Sequence, residues 1–209
     1  MRLVIVGAGG HAAVVIEAAQ AMRCFSIVGI VDPKPEAPDV LGIPVLGGDD
    51  CLPGLRAERV EAAVVALGNN RLRQTVGTRL LEQGFVLPAI VHPSALVSPS
   101  AQIGDGAVIM ARAVVGARTR IGALAIVNTG AVIDHDNIIG AAAHVAPGVA
   151  LAGNVTVGER SLVGVGSAAR SGIRIGADAV VGAGSALVAD VHDGAVVGGT
   201  PARPLRRPG

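Results

Sequence analysis

Four hydrogen-bonding side chains stand side by side in the stretch VIDHDNIIG, where Asp134, His135, Asp136 and Asn137 interrupt a run of Val, Ile, Ala and Gly. An imidazole between two carboxylates has the makings of a general base, because a neighbouring carboxylate orients the ring and strengthens its hold on a proton. Either Asp134 or Asp136 could be that partner. The plain alternative is a surface histidine. Against it stand the clustering with two carboxylates and the lack of any comparable polar run in the surrounding segments.

A second group lies near the start. Gly7, Gly9 and Ala12 fit G-x-G-x-x-G/A between the apolar run RLVIVG and the helically spaced AAVVIEAAQAM, and Asp32 ends the next apolar run. Such a turn lets backbone N–H groups at a helix N-terminus approach phosphate. The unit is about half a full dinucleotide domain, so a nucleotide diphosphate suits it better than NAD; a glycine turn kept for packing is the alternative. His11 falls in this loop, where a purely structural turn has no need of an imidazole. Lys34 in VDPKPE and Gly68 in GNN fall at the same expected sheet edge, where open α/β sheets bind ligands.

Two different rhythms must position these groups. From Val91 to Leu187 an aliphatic anchor returns every six residues without an insertion, with Ala169 the one position that is not branched. The residue four after each anchor is usually small, and the residue directly after it is often Gly. A six-residue period is the signature of a parallel β-helix, three units closing a coil of eighteen residues. Small residues and Gly suit its corners. Residues 1–88 instead read as a small Rossmann-like α/β unit with a parallel sheet, and residues 89–209 as the β-helix with a C-terminal cap from Val188 onward.

Within that frame His135 projects outward between Ala117 and Gly153, each eighteen residues away, so a polar side chain stands between two positions with almost none. His144 also projects outward, flanked by Ile126 and Leu162. Val165 and Ala183 share one column and could line a smooth channel. No pair among His92, His135, His144 and His192 has a tight ligand spacing, and nine residues put His135 and His144 on different parts of a coil, so no metal is expected.

The whole chain narrows the classes further. Its 209 residues carry Lys+Arg 17 against Asp+Glu 16, with Phe25 and Phe85 the only aromatics of the Phe, Tyr and Trp type. A chain without a basic block or stacking aromatics is a poor nucleic-acid binder. No apolar run approaches the ~20 residues that cross a bilayer, and the first residues lack a secretory layout, so the expected location is the cytoplasm. Cys24 and Cys51 have no CxxC spacing and carry no functional weight.

The motifs GAGGH (7–11), VDPK (31–34), GNN (68–70), IVHPSA (90–95), VNTGAVIDHD (127–136), HVAPG (144–148), LAGNV (151–155) and GTPAR (199–203) together resemble the nucleotide-sugar N-acetyltransferases of the hexapeptide-repeat sugar O-acyltransferase family. The resemblance covers nearly the entire chain. It implies a left-handed β-helix, a homotrimer with acetyl-CoA bound in grooves between solenoids, and a nucleotide-linked amino sugar held by the N-terminal unit. It implies His135 as base and Asp136 as its carboxylate. Gly9, Gly10, His11, Asp32, Lys34 and Gly68 would touch the nucleotide sugar. Asn128 and His144 would touch the acetyl donor or position the reacting groups. For acetyl-CoA, backbone N–H near Gly153 could meet the developing oxyanion, Val165 and Ala183 could line the pantetheine channel, and Arg203, Arg206 and Arg207 either reach its phosphates or are solvated terminal charge. O-acetylation of a sugar and a non-catalytic nucleotide-sugar-binding trimer are the competing functions.

Overall fold

The computed structural model describes residues 1–205. Its first part is a sheet of β1 (Arg2–Val6), β2 (Ser26–Val31), β3 (Asp39–Val40), β4 (Ile43–Gly47) and β5 (Ala62–Val65), in the order β3-β4-β2-β1-β5. All pairings are parallel except β3 with β4. Strands β1 and β5 are buried along nearly their whole length, as expected of parallel strands covered on both faces. Helix α1 (Gly10–Ala21) covers one face; α2 (Leu52–Ala57) and α3 (Asn70–Glu82) cover the other.

The second part is a three-sided solenoid of two-residue strands, beginning at Ile90–Val91. Each strand pairs in parallel with the one eighteen residues on: Ile126 with His144, Val132 with Ala150, Ile138 with Thr156. Three stacked faces result. Ile90, Val108, Ile126, His144, Leu162 and Val180 project from the first, Leu96 to Ala186 from the second, and Gln102 to Arg174 from the third. The anchors form one continuous interior file of Val, Ile, Leu and Ala. At the far end Val196–Gly198 joins the first face, and Arg203–Pro204 closes that edge antiparallel, which covers unpaired backbone groups that would otherwise recruit another strand.

The corners correct the expectation about glycine. From Gly106 to Gly184 every sixth residue is in the left-handed region, and many of these are not glycine: Arg118, Leu124, Asp136, Ala142, Asn154 and Arg160 have φ of 52–60°. The glycines directly after the anchors serve a different need. A Cβ at Gly140 would lie 2.5 Å from the backbone nitrogen of Glu159 on the next coil. Close coil stacking, rather than turn conformation, excludes a side chain there.

The two parts share their cores. Ile90, Val108 and Ile126 of the first solenoid face pack into the cluster of α1 and the sheet, while Leu124 and Ala142 pack with α3. The approach of α3 is so close that a Cβ on Gly77 would sit 2.4 Å from Leu124 Cδ1. Gly77→Ala is therefore expected to destabilise by about 1–3 kcal/mol through overpacking, and addition of Leu124→Ala to cost less than the sum of the two single changes, as read by chemical denaturation.

Candidate active site

His135 sits at the corner between the second and third faces, in a column with Ala117 and Gly153 whose backbones are joined by Asp136 N–H donating to Ala117 O and Asn154 N–H donating to His135 O. The ring lies across Gly153: a Cβ there would fall 2.5 Å from Cε1 and 2.6 Å from Nε2. It is half exposed, at 49%. Nδ1 donates to Asp136 Oδ2 at 2.7 Å, while Asp134 Oδ1 accepts the His135 backbone N–H at 2.7 Å. The two carboxylates thus divide the work, Asp136 on the ring and Asp134 on the main chain. With the Nδ1 proton directed at Asp136, Nε2 is left as the acceptor.

Beneath the corner, polar side chains replace the usual aliphatic or small filling. Asn137 is fully buried, and its Nδ2 donates to the carbonyls of Asp134, Ala152 and His135 at 2.8, 3.0 and 3.2 Å. Thr119 Oγ1 donates to Asp134 O at 2.8 Å. A carbonyl next to the imidazole and one from the following coil are drawn to the same amide. Local polar residues, legible as the odd filling of this unit, hold the turn from inside.

Asp136 also belongs to an ion pair. Arg118, one coil earlier, donates through Nε and Nη2 to Asp136 Oδ1 and Oδ2, both at 2.6 Å. The guanidinium, followed by the imidazole, holds the Asp136 carboxyl down at about 2; charge-assisted hydrogen bonds favour its ionised form.

A second cluster forms where the α/β unit meets the first solenoid face. His144 Nε2 accepts from Asn128 Nδ2 at 3.1 Å, and its ring stands 6.4 Å from that of His11. His11 lies in the first turn of α1, turned towards the solenoid, rather than in the glycine loop itself, and its Nε2 is buried without a hydrogen-bond partner among the described residues. Arg73 of α3, 1% exposed, donates to the carbonyls of Leu67, Leu124 and Ala142 at 2.9, 2.8 and 2.7 Å, and to Asn70 Oδ1 at 2.8 Å. Burial, then the Arg73 charge, depresses His11 and His144 to about 4 each, so both rings are neutral at pH 7.

The remaining candidates fall around these two clusters. Gly9 caps α1 without a side-chain hydrogen bond, and a Cβ on Gly9 or Gly10 would meet nothing within 4 Å, leaving the helix N-terminus open. Asp32 closes the loop, its Oδ2 accepting Ala8 N–H and its Oδ1 accepting Lys34 N–H, each at 2.8 Å; Lys34 is exposed. Gly68 borders an open cavity of about 950 Å³ that runs along His144, Leu162 and Val180 to the Arg160–Asp178 pair. Val165 and Ala183 are exposed at the corner between the first and second faces, and Arg203 is exposed on the closing strand; Arg206 and Arg207 lie outside the described residues. The structure therefore joins Asn128, His144 and His11, and separately His135, Asp136 and Gly153. Half a coil parts the two groups.

Sequence reasoning missed Arg73, Arg118 and Arg160. Arg160 is bidentate to Asp178 at 2.9 and 2.8 Å and reaches Gln74 of α3 at 3.0 Å, while Asn70 Nδ2 donates to Arg160 O at 2.8 Å. Both solenoid pairs, Arg118–Asp136 and Arg160–Asp178, are eighteen residues apart, a spacing at which opposite charges could have been sought. Among the described residues no group of three or more His, Cys, Asp or Glu is arranged to hold a metal ion, and no helix is long and apolar enough to cross a membrane.

Comparison with known proteins adds the following. Residues 2–80 match the family described as the PglD N-terminal domain. The structure is similar to that of PerB from Caulobacter crescentus in complex with CoA and GDP-perosamine, at 47% identity and a TM-score of 0.94, covering 99% of this chain and 98% of that one. The acetyltransferase domain of PglB from Neisseria gonorrhoeae is 40% identical with a TM-score of 0.93, covering 98% and 99%. UDP-N-acetylbacillosamine N-acetyltransferase of Bacillus subtilis is 38% identical over 115 residues, 51% of this chain; the match spans 50% of that curated relative.

The two depressed imidazoles give a pH prediction. Because the unfolded chain takes up protons on His11 and His144 near pH 6.5 and the folded one only near 4, their contribution is fully present above pH 6.5 and is lost as pH falls towards 4. Each contributes on the order of 3 kcal/mol to that loss. Replacing both with Gln is expected to flatten the Tm–pH curve between pH 6.5 and 4, measured by scanning calorimetry in a buffer series.

Proposed function

The chain belongs to the hexapeptide-repeat nucleotide-sugar N-acetyltransferases, and from that premise we propose that it transfers the acetyl group of acetyl-CoA to the amine of a nucleotide-linked amino sugar, with His135 as general base. The observation that carries the residue assignment is the half-exposed imidazole whose Nδ1 is held by Asp136 at 2.7 Å while its other nitrogen lies free of the carboxylates over Gly153. The near full-length likeness to PerB, whose structure holds CoA and GDP-perosamine, supports the acceptor class.

The reaction needs little from the protein. A neutral amine attacks the thioester carbonyl, the new C–N bond forms, and His135 Nε2 takes the proton the nitrogen sheds. The C–S bond then breaks, and the imidazolium returns its proton to the departing sulfur. No acyl-enzyme is required; Cys24 and Cys51 lie in the α/β unit. The Asp136 carboxylate keeps the ring in the tautomer that accepts at Nε2 and stabilises the imidazolium. On the other cluster, neutral His144 accepts from Asn128, leaving its Nδ1–H to donate to a donor carbonyl. The open N-terminus of α1 at Gly9 and Gly10 suits a diphosphate; Lys34 follows the neighbouring strand β2 on one side of it, and Gly68 borders the cavity on the β5 side.

The separation of the clusters favours a site shared between protomers of a homotrimer. The second solenoid face presents an unbroken apolar column, Leu96, Val114, Val132, Ala150, Ala168 and Ala186, with Leu96 69% and Val132 44% exposed. Packing that face about a threefold axis buries it, as isolated chains rarely expose such a stripe. It also sets the corner bearing His135 of one protomer against the Val165–Ala183 corner of the next, beside that neighbour's His144. Acetyl-CoA would lie in this seam.

Two experiments follow. With acetyl-CoA and a panel of nucleotide-linked 4-amino and hydroxy sugars, thiol release is expected with an amino sugar and to fall at least ~100-fold in His135→Asn, the trimer persisting; release with hydroxy sugars alone would assign O-acetylation instead. Co-assembly of His135→Asn chains with His144→Ala chains is expected to restore activity above that of either parent, through seams that pair an intact His135 with an intact His144. A mixture no more active than its parents would assign the whole site to one chain.

A further inference from the structure

We propose that Arg118 is a positioning residue for the base: by gripping Asp136 from the preceding coil it fixes the carboxylate that orients His135 and tempers that carboxylate's pull on the imidazole proton. This deepens the acetyl-transfer reading and rests on it.

The geometry begins with the coil repeat. Arg118 and Asp136 are eighteen residues apart and both left-handed, with φ of 58° and 59°, so their side chains leave the same corner in stacked positions. The guanidinium meets both carboxylate oxygens at 2.6 Å, the fork geometry that leaves a carboxylate no freedom to rotate. Oδ2 takes a second donor, His135 Nδ1, at 2.7 Å. One oxygen thus serves a permanent cation and the ring of the base together.

Two effects follow for the ring. A carboxylate anchored on two oxygens holds Nδ1–H along one line, which aims Nε2. The guanidinium also offsets part of the negative charge that the carboxylate sets beside the ring. The other groups bearing on the ring are few. Asp134 flanks it on its own coil, with one oxygen on the His135 N–H; the preceding coil gives Ala117 and Arg118, and the following coil gives uncharged Gly153 and Asn154.

A comparison exists in the same chain. Arg160 and Asp178 make the same stacked pair at another corner, where the preceding position is Ala177 and the partners are Gln74 and Arg71 of α3. There the pair ties two coils and a helix. Arg118 joins two coils in the same way, but its carboxylate also touches the base, so the question is whether that contact has a chemical effect beyond the tie.

The test uses the full-length trimer with Arg118→Ala and Arg118→Lys beside wild type and His135→Asn, measuring kcat, both KM values, the pH dependence of kcat/KM, and the His135 ring titration by NMR without substrates. Arg118→Ala is expected to lower kcat about tenfold with both KM values within about twofold, and to move the acidic limb and the ring titration upward by about 0.5–1 pH unit as the carboxylate turns wholly to the ring. Arg118→Lys keeps the charge without the fork, so its limb stays near wild type and its kcat falls between the two. An Arg118→Ala enzyme with wild-type kcat, or a limb that stays or moves down, would overturn the proposal and leave Arg118 a tie between coils, the acetyl-transfer reading standing. If wild type does not turn over, or His135→Asn retains its rate, the underlying reading fails and this proposal with it.

Discussion

The parallel ladder that stacks each residue on the one eighteen positions away is the constraint from which the rest of this molecule follows. Because coil is laid on coil without insertion, the surroundings of any outward side chain are decided by two residues far from it in sequence. His135 has room because Gly153 has no side chain, and it has an ordered carboxylate because Asp136 lies over Arg118. The same rule builds the docking surface for the α/β unit: Leu124, Ala142, Arg160 and Asp178 are successive members of one corner column, and α3 contacts all four.

That docking is held by an unusual buried group. Among the described residues Arg73 pairs with no carboxylate; its charge is met by carbonyl dipoles from the loop after β5 and from two solenoid coils. Removal of the guanidinium would leave several buried carbonyls unpaired, each a cost of about 1–3 kcal/mol. The same charge helps keep His11 and His144 neutral. One side chain therefore contributes both to the relative placement of the two parts and, after burial, to the proton state of the histidines between them.

Much of this was legible in the residues. The unbroken six-residue beat gives the solenoid, the alternating apolar runs give the α/β unit, and Asp134–Asn137 marks the functional corner because polar side chains there violate a pattern that holds elsewhere. Other features escaped for physical reasons. Left-handed corners at Arg118, Leu124 and Asp136 are invisible to a reading that assigns such backbone to glycine, since coil stacking over-determines the conformation. Arg73 reads as one more helix arginine, because nothing local reveals that α3 is pressed against two coils. His11 reads as a loop residue because the turn flows directly into an uncapped helix. The Asn69–Asn70 pair borders the cavity with Gly68 and in addition caps α3 and reaches the backbone of Arg160, contacts that the sequence alone does not reveal.

The proposed transfer uses a base from one chain beside the buried histidine pair of another. Its most direct test is a crystal structure of the protein with CoA and an amino-sugar nucleotide, read for which imidazole meets the sugar amine. The prediction is His135 Nε2 within about 3.2 Å of that nitrogen, with His144 at the same seam supplied by the neighbouring protomer. An amine lying beside the His144 of the same chain that supplies its nucleotide pocket, with His135 of every protomer remote from it, would contradict the account.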